Sequence, residues 1–224
     1  CYLWYHPKIG MWLGATPEIL LRAENNSLTT MSLAGTQSFA QNNYPEWGQK
    51  EQDEQLMVTN YISNILQGHV TKINVHEVEP IRAGSLWHLR TKITATFDNN
   101  LDTVIKALHP TPAVCGIPLA IAQDFIGEHE NYNREYYTGF LGELNFEDMT
   151  EGNSKDKNLE IKSNPTIKSK TELYVNLRCM QMDEGKAIIY VGGGITKDSI
   201  PEDEWKETVA KSKTIMGVLA KDRF

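Results

Sequence analysis

The chain has 224 residues, is 40% hydrophobic and carries a formal net charge of −7 at pH 7. It is long enough to bury a sizeable core, and its 22 lysines and arginines form no dense run that would neutralise a nucleic-acid backbone. No apolar run approaches the ~20 residues of a membrane span, and no signal peptide is visible. We therefore expect one cytosolic, monomeric domain over residues 1–224, without a nucleic-acid or membrane partner.

Short apolar or β-branched runs, separated by turn residues, open the chain. They lie at residues 2–5, 11–13, 18–22 and 28–34. Such runs are typical of successive antiparallel strands. The chain begins directly in the first run without a methionine, so we expect that further N-terminal strands of a longer protein are missing here.

A helical period begins after Gly48 and ends at Gly68. Its apolar positions are Leu56, Met57, Tyr61, Ile62, Ile65 and Leu66. Two strands are predicted on either side of residues 80–85. A short helix follows with Asp98 or Asn99 as its N-cap, and a second helix covers residues 119–130.

The C-terminal part alternates again and ends in a helix. Strands are predicted at 136–146, 172–182 and 186–195, with a polar loop insertion over residues 147–171. In the last helix, Ser199 and Glu202 have the spacing of a capping box. One face of that helix carries Trp205, Val209, Ser212, Met216 and Leu219. Runs of strands separated by a few helices predict an α+β fold with largely antiparallel sheets.

Acidic residues on the first and last long helices are candidate metal ligands. Glu54 lies on the predicted packed side of the first helix, while Glu204, Glu207 and Lys211 share one face of the last. The spacing is equally that of a plain Glu207–Lys211 ion pair. If the two helices face each other, the carboxylates would instead suit Mg²⁺, which prefers oxygen ligands. Spacing alone leaves both alternatives open.

Three further features could bind an anion. Arg178 lies within a predicted strand and needs an anionic partner if it is buried, such as a substrate carboxylate. The amides of Gly192 to Gly194 could cradle an anion, although a tight bulge explains three glycines equally well. His88 follows a tryptophan, and a histidine in a strand is more often a core residue than a catalyst.

The motifs between Gly14 and Ser212 resemble those of the chorismate-utilising enzymes, the group that contains isochorismate, salicylate, anthranilate and aminodeoxychorismate synthases. In chain order they are GATPEILL, LAGT, KEQDEQLMV, LWHL, LHPTPAVCGIP, NREYYTGFLGEL, LRCMQM, YVGGGIT and EWKETVAKS. The resemblance implies an α+β fold of two largely antiparallel β-sheets in a sandwich, with helices packed outside.

Two motifs resemble one branch of this family more than the others. LHPTPAVCGIP looks like the isochorismate synthase version of its loop. Ala34 stands where aminodeoxychorismate synthases that use a lysine nucleophile carry that lysine, which argues against that branch. The resemblance therefore implies Mg²⁺-dependent conversion of chorismate to isochorismate, for menaquinone or a catechol siderophore.

The resemblance also implies roles for individual residues. Glu18 looks like the general acid that protonates the departing 4-hydroxyl, and His88 like the histidine that orients the ring. Mg²⁺ would be held by Glu54 and Glu207, with Glu204 acting through water. Substrate contacts are implied for Ala34, Gly35, Thr36, Thr111, Arg178, Gly192, Gly193, Gly194 and Lys211.

Two departures from the family pattern keep alternatives open. The family's general base is a lysine upstream of the GATPE motif, and Lys8 matches no such motif. In KEQDEQ, Glu51 and Gln52 replace the usual aspartate and arginine, while Glu54 is retained. The alternatives are a salicylate or anthranilate synthase-like enzyme, or a chorismate-binding fragment that is inactive without the base.

Overall fold

The computed structural model describes residues 1–38, 44–84, 86–98, 100–150 and 166–219. The strands in this part are β1 Tyr2–His6, β2 Gly10–Gly14, β3 Ile19–Glu24, β4 Ser27–Ser38, β5 Lys72–Ala83, β6 Leu86–Thr96, β7 Phe140–Thr150, β8 Thr166–Val175, β9 Cys179–Asp183 and β10 Lys186–Tyr190. The helices are α1 Gln49–Gln67, α2 Leu101–Leu108, α3 Leu119–His129 and α4 Pro201–Leu219. No described helix is both long and apolar enough to cross a lipid bilayer.

The strands form two antiparallel sheets, which confirms the predicted α+β fold. The order is β1-β2-β9-β10 in the smaller sheet and β5-β6-β4-β3-β8-β7 in the larger one. Pro80 lies in β5, which within the described residues pairs only with β6 and so forms an edge of the larger sheet. An edge strand tolerates proline because its outer amides need no partner strand.

Helix α1 begins after Gly48 and ends before Gly68, as its periodicity predicts. It packs on the larger sheet through Val58, Ile62 and Leu66, each at most 4% exposed. The prediction for its first turns is wrong. Leu56 and Met57 are 56% and 42% exposed, and the buried positions there are the polar residues Gln55 and Thr59.

The predicted strand over residues 172–182 is wrong as one element, because it divides between the two sheets. β8 ends at Val175 in the larger sheet, and β9 begins at Cys179 in the smaller one. The segment between β2 and β3 also connects the smaller sheet to the larger one, and it runs beside the segment between β8 and β9. The amide of Ala15 donates to the carbonyl of Arg178 at 3.1 Å, and that of Val175 donates to the carbonyl of Glu18 at 3.0 Å. Glu18 and Arg178 therefore lie on adjoining connections at the point where the sheets separate.

The C-terminal elements also differ from their predictions. β10 ends at Tyr190, so the glycine triplet follows the strand instead of lying in it. The predicted capping box does not form, because α4 begins at Pro201 and Ser199 is therefore not its N-cap; the Ser199 hydroxyl instead accepts the amide of Thr196 at 2.9 Å. The predicted apolar face of α4 points outward: Trp205 is 71% and Met216 51% exposed, whereas Glu204 is 7% and Ile215 8% exposed. The inward side of α4 therefore combines charged residues with Ile215.

Two smaller predictions lie partly outside the described residues. The N-cap of α2 is Asn100 in place of the predicted Asp98 or Asn99, and residue 99 is not among those described. The polar segment 147–171 begins and ends in paired strands, as shown by the pairing of Glu147 with Ser169. Its central part, residues 151–165, lies outside the described part of the chain.

Candidate active site

The charged face of α4 lies against the glycine triplet. Lys211 Nζ is 2.6 Å from Glu207 Oε1 and donates to the carbonyl of Gly192 at 3.0 Å. The Glu207–Lys211 ion pair suggested by their spacing is therefore present. It does not face open solvent, however, since Lys211 also reaches the backbone of the segment after β10.

The glycine triplet is needed because side chains approach it closely. A Cβ atom added at Gly194 would lie 3.1 Å from Glu54 Oε1, and one at Gly193 would lie 3.4 Å from Glu207 Oε1. A Cβ atom at Gly192 would be 2.7 Å from the Tyr137 hydroxyl oxygen. Glu54 of α1 and Glu207 of α4 therefore approach the same three residues, although they are far apart in the sequence.

The carboxylates repel one another enough to influence their ionisation. Burial and the charge of Glu207 raise the pKa of Glu54 above its ordinary value. Burial also raises the pKa of Glu204, but the hydrogen bond from Lys50, at 2.7 Å, helps to bring it below that value. A cavity of about 380 Å³ opens beside these groups and is lined partly by Lys50, Glu204 and Glu207.

The three carboxylates fit a divalent cation by the chemistry of their donor atoms. All offer oxygen, which Mg²⁺ prefers, and a cation would relieve the repulsion that Glu54 experiences. Two of them, Glu204 and Glu207, bond Lys50 and Lys211. Within the described residues, no three His, Cys, Asp or Glu side chains are already arranged around one metal position.

Arg178 is a partly buried cation at the junction of the sheets. Its Nη2 donates to His88 Nε2 at 2.6 Å, and its Nη1 donates to the carbonyl of Ala83 at 3.1 Å. Its backbone φ of +48° is unusual for a residue with a side chain. No carboxylate in the described part of the chain pairs with it, and burial lowers its pKa. A cation held in this way favours an anionic ligand.

His88 is held in one tautomer by two partners. Its Nδ1 lies 3.1 Å from the carbonyl oxygen of Gly35, which can only accept, so Nδ1 carries the proton and Nε2 accepts from Arg178. Gly35 has a φ of +65° at a bulge in β4. Burial, together with the charge of Arg178, lowers the pKa of His88 to about 4. His88 is therefore neutral at physiological pH.

Glu18 is a buried carboxyl group close enough to Lys211 to feel its charge. The residue is 4% exposed. Burial raises its pKa to about 7, and the charge of Lys211 opposes this increase only in part. A large fraction of Glu18 is therefore protonated near neutral pH, as a general acid requires.

This pKa predicts how stability depends on pH. Between about pH 4.5 and 7 the folded state holds a proton on Glu18 that the unfolded state has released, so stability falls as pH rises. The loss is about 3 kcal/mol and is complete above pH 7. Glu18→Gln should remove this contribution, which urea unfolding at pH 4.5 and pH 8 would measure. An identical pH dependence in the two proteins would contradict the raised pKa.

Not all of the predicted residues meet at this site. Thr36 Oγ1 lies 3.4 Å from His88 Nδ1, while Ala34 is buried and bonds Gln55. Thr111 is 4% exposed, and its hydroxyl has no hydrogen-bond partner in the described structure. Nothing recorded in that part of the chain connects Thr111 with the other candidates, so its role stays a prediction.

Sequence reasoning missed three residues around the site: Lys50, Gln55 and Tyr137. Lys50 has no role among the sequence-based predictions, but its side chain reaches from α1 to Glu204. Tyr137 is 8% exposed, with its hydroxyl against Gly192. The spacing of Lys50, four residues before Glu54 on the same helical face, was the available signal.

Comparison with known proteins identifies the family. A family model described as "Chorismate binding enzyme" matches residues 1–152, and a second, described as "chorismate binding enzyme", matches residues 166–217. The chain belongs to the chorismate-binding enzymes. This result confirms the family that the nine motifs suggest.

Individual relatives in this family share more than a quarter of their aligned residues with the chain. Isochorismate synthase EntC of Escherichia coli is 29% identical over 220 residues, which are 93% of this chain and 51% of EntC. Anthranilate synthase component 1 of Aquifex aeolicus is 28% identical over 91% of this chain and 40% of that protein. The chain thus spans about half the length of these relatives.

A solved structure confirms the likeness in three dimensions. A Bacillus anthracis protein described as a DhbC-type isochorismate synthase superposes with a TM-score of 0.78 at 26% identity. The match covers 97% of this chain and 56% of the other. The arrangement of two antiparallel sheets is therefore that of a chorismate-binding enzyme over about half of its length.

Proposed function

We propose that this chain binds chorismate in the cleft between Arg178, the glycine triplet and α4, and that it forms the acid and metal side of an isochorismate synthase site. One observation carries the proposal. The partly buried Arg178 has no carboxylate partner among the described residues. It bonds His88, which is also close enough to Lys211, the partner of Glu207, for that charge to lower its pKa. An anionic substrate with a divalent cation would complement both halves of the cleft.

Chorismate is a dianion, and the overall charge of the chain is −7. Binding therefore requires positive charge concentrated in one place. Arg178 and Lys211 supply two cations, and the amides of Gly192 to Gly194 supply neutral donors. We assign these groups to the enolpyruvyl carboxylate, with Ala34, Gly35, Thr36 and Thr111 as further substrate contacts.

We assign Mg²⁺ to Glu54 and Glu207, with Glu204 acting through water. When bound, the cation would neutralise the ring carboxylate of the substrate. In the structure, Lys50 and Lys211 bond Glu204 and Glu207. Both lysines have flexible side chains, so the carboxylates can exchange these partners for a cation.

The chemistry of the reaction is addition of water at C2 and loss of the 4-hydroxyl. Hydroxide is a poor leaving group, so Glu18, protonated near neutral pH, would donate its proton to the departing oxygen. Neutral His88, fixed by Gly35 and Arg178, would orient the ring. The attacking water must lose a proton to a base, which the resemblance places on a lysine upstream of the GATPE motif and which we assign to no residue of this chain.

Two alternative activities use the same cleft. The first is salicylate formation, which adds elimination of pyruvate. The second is an anthranilate-type reaction, which the similarity to an anthranilate synthase component supports. A third possibility is binding without turnover, because we assign no base within residues 1–224.

Product analysis separates these outcomes. When a general base is available to the attacking water, we expect incubation with chorismate and Mg²⁺ to yield isochorismate on HPLC. Salicylate with pyruvate would replace the assignment by salicylate synthase, and anthranilate formed when ammonia is added would replace it by the anthranilate branch. Unchanged chorismate, with binding measured in parallel, would reduce the function of this chain to binding.

A further inference from the structure

The side chain of Gln55 lies within a buried polar cluster beneath the site. Gln55 is 3% exposed and follows Glu54 in α1. Its Nε2 donates to Ser32 Oγ at 2.8 Å and to Thr91 Oγ1 at 3.0 Å. Its Oε1 accepts the backbone amide of Ala34 at 2.9 Å. One amide side chain thus connects α1 with β4 and β6.

The bond to Ala34 acts directly beside the bulge in β4. The pairing of β4 with β6 shifts register between Ala34 and Thr36, and Gly35 lies between them with a φ of +65°. The carbonyl of Gly35 accepts the Nδ1 proton of His88, whose Nε2 accepts from Arg178. A continuous series of hydrogen bonds and backbone links therefore runs from Gln55 to Arg178.

We propose that Gln55 is a positioning residue, which fixes the bulge at Gly35 and so holds His88 and Arg178 in place relative to Glu54 on α1. The proposal rests on the proposed function, in which Arg178 binds the substrate and Glu54, next to Gln55, binds the cation. Its physical basis is that a binding site needs its groups held by partners whose own conformations are fixed. Gln55 and Glu54 are adjacent on one helix, so moving either element changes both halves of the cleft.

The competing interpretation is that Gln55 merely satisfies buried polar atoms. Thr59 provides a matched control, since it belongs to the same cluster but makes no recorded contact with Ala34. It is 7% exposed, and its hydroxyl lies 2.7 Å from Ser32 Oγ and donates to the carbonyl of Gln55 at 2.8 Å. Thr59→Val therefore disturbs the cluster without disturbing the bulge.

The experiment compares Gln55→Met, Thr59→Val and the wild-type chain. Thermal unfolding measures the general stability of each protein. Calorimetric titration with chorismate in the presence of Mg²⁺ measures binding, and ¹⁵N-edited NMR of the imidazole measures how well the His88 Nδ1 proton is protected from exchange with water. We expect Gln55→Met to weaken binding roughly 10- to 100-fold and to lose this protection. Thr59→Val should retain both properties despite its lower melting temperature.

The two readouts keep the hypotheses distinct. If the wild-type chain does not bind chorismate, the proposed function fails, while protection of the His88 proton still tests the role of Gln55. Protection that is retained in Gln55→Met, or lost equally in Thr59→Val, would overturn the inference. If Gln55→Met does not fold, Gln55→Asn replaces it in the experiment. The shorter side chain of asparagine cannot bond Ala34 and Ser32 at the same time, so the expected results are the same.

Discussion

Replacing Arg178 by alanine is expected to weaken chorismate binding by about 2–5 kcal/mol, which corresponds to roughly 30- to 4,000-fold in the dissociation constant. The reason is that Arg178 is partly buried, is fixed by His88 and Ala83, and has no carboxylate partner in the described structure. Removing it deprives the substrate carboxylate of a desolvated, charged donor. Calorimetric titration would measure the change.

Two further variants sharpen this test. Arg178→Lys keeps the charge but loses the planar fork of the guanidinium group, so it should recover only part of the affinity. Arg22→Ala removes an arginine that pairs with Glu172 and whose side chain is 48% exposed. It should bind chorismate like the wild-type chain. Equal affinity in Arg178→Ala and the wild type would show that Arg178 serves only the structure of the junction.

Replacing Glu207 by glutamine should remove the effect of Mg²⁺ on chorismate binding while leaving the fold intact. The change deletes one of two charged oxygens that approach the glycine triplet from different helices, and we expect Mg²⁺ affinity to fall by at least about tenfold. It also removes the repulsion that raises the pKa of Glu54, so the pKa of that carboxyl should decrease. Titration with Mg²⁺ at fixed chorismate would measure the first effect.

The control for this prediction is Glu79→Gln. Glu79 pairs with Arg90 on the larger sheet, and its side chain is 51% exposed. Its substitution changes the net charge equally but should leave the Mg²⁺ dependence unaltered. If Glu207→Gln retains the full response to Mg²⁺, Glu207 does not belong to the metal site.

Most helices and strands could be predicted from local signals in the sequence, and the sandwich of two sheets followed from the family resemblance. The bounds of α1 between Gly48 and Gly68 are confirmed, and so is the presence of the four opening strands, although β4 continues to Ser38, four residues beyond the predicted run. β2, β3 and the later turns of α1 bury apolar residues with regular spacing, which is the property that periodicity measures, whereas Leu3 and Tyr5 of β1 are exposed. Turn residues such as Gly84, with a φ of +64°, mark where the chain reverses.

Periodicity failed where the site replaces apolar residues by polar ones. Charged residues such as Glu204 lie on the inward side of α4, so the apolar face that periodicity detects, with Trp205, is exposed. Gln55 is polar yet buried, for the same reason. Arg178 was assigned to a strand face because alternation continues through residues 172–182, although the chain changes sheets there.

The proximity of Glu54 and Glu207 could not be predicted from residue spacing within a helix, because these residues lie on different helices separated by most of the chain. The motifs suggested it through resemblance, and the structure brings both carboxylates to Gly193 and Gly194. The ion pair of Lys211 with Glu207 and the carboxylate cluster were treated as alternatives. The structure contains the ion pair, and it also brings the carboxylates of Glu54 and Glu207 close to neighbouring glycines, while the metal site stays a proposal.

The most direct test of the account is calorimetric titration of the 224-residue chain with chorismate, with and without Mg²⁺. It addresses the cleft itself and requires no turnover. We predict saturable binding with one chorismate per chain, strengthened by Mg²⁺ and weakened by Arg178→Ala. Absence of binding under both conditions, in a chain shown to be folded by its thermal transition, would contradict the account.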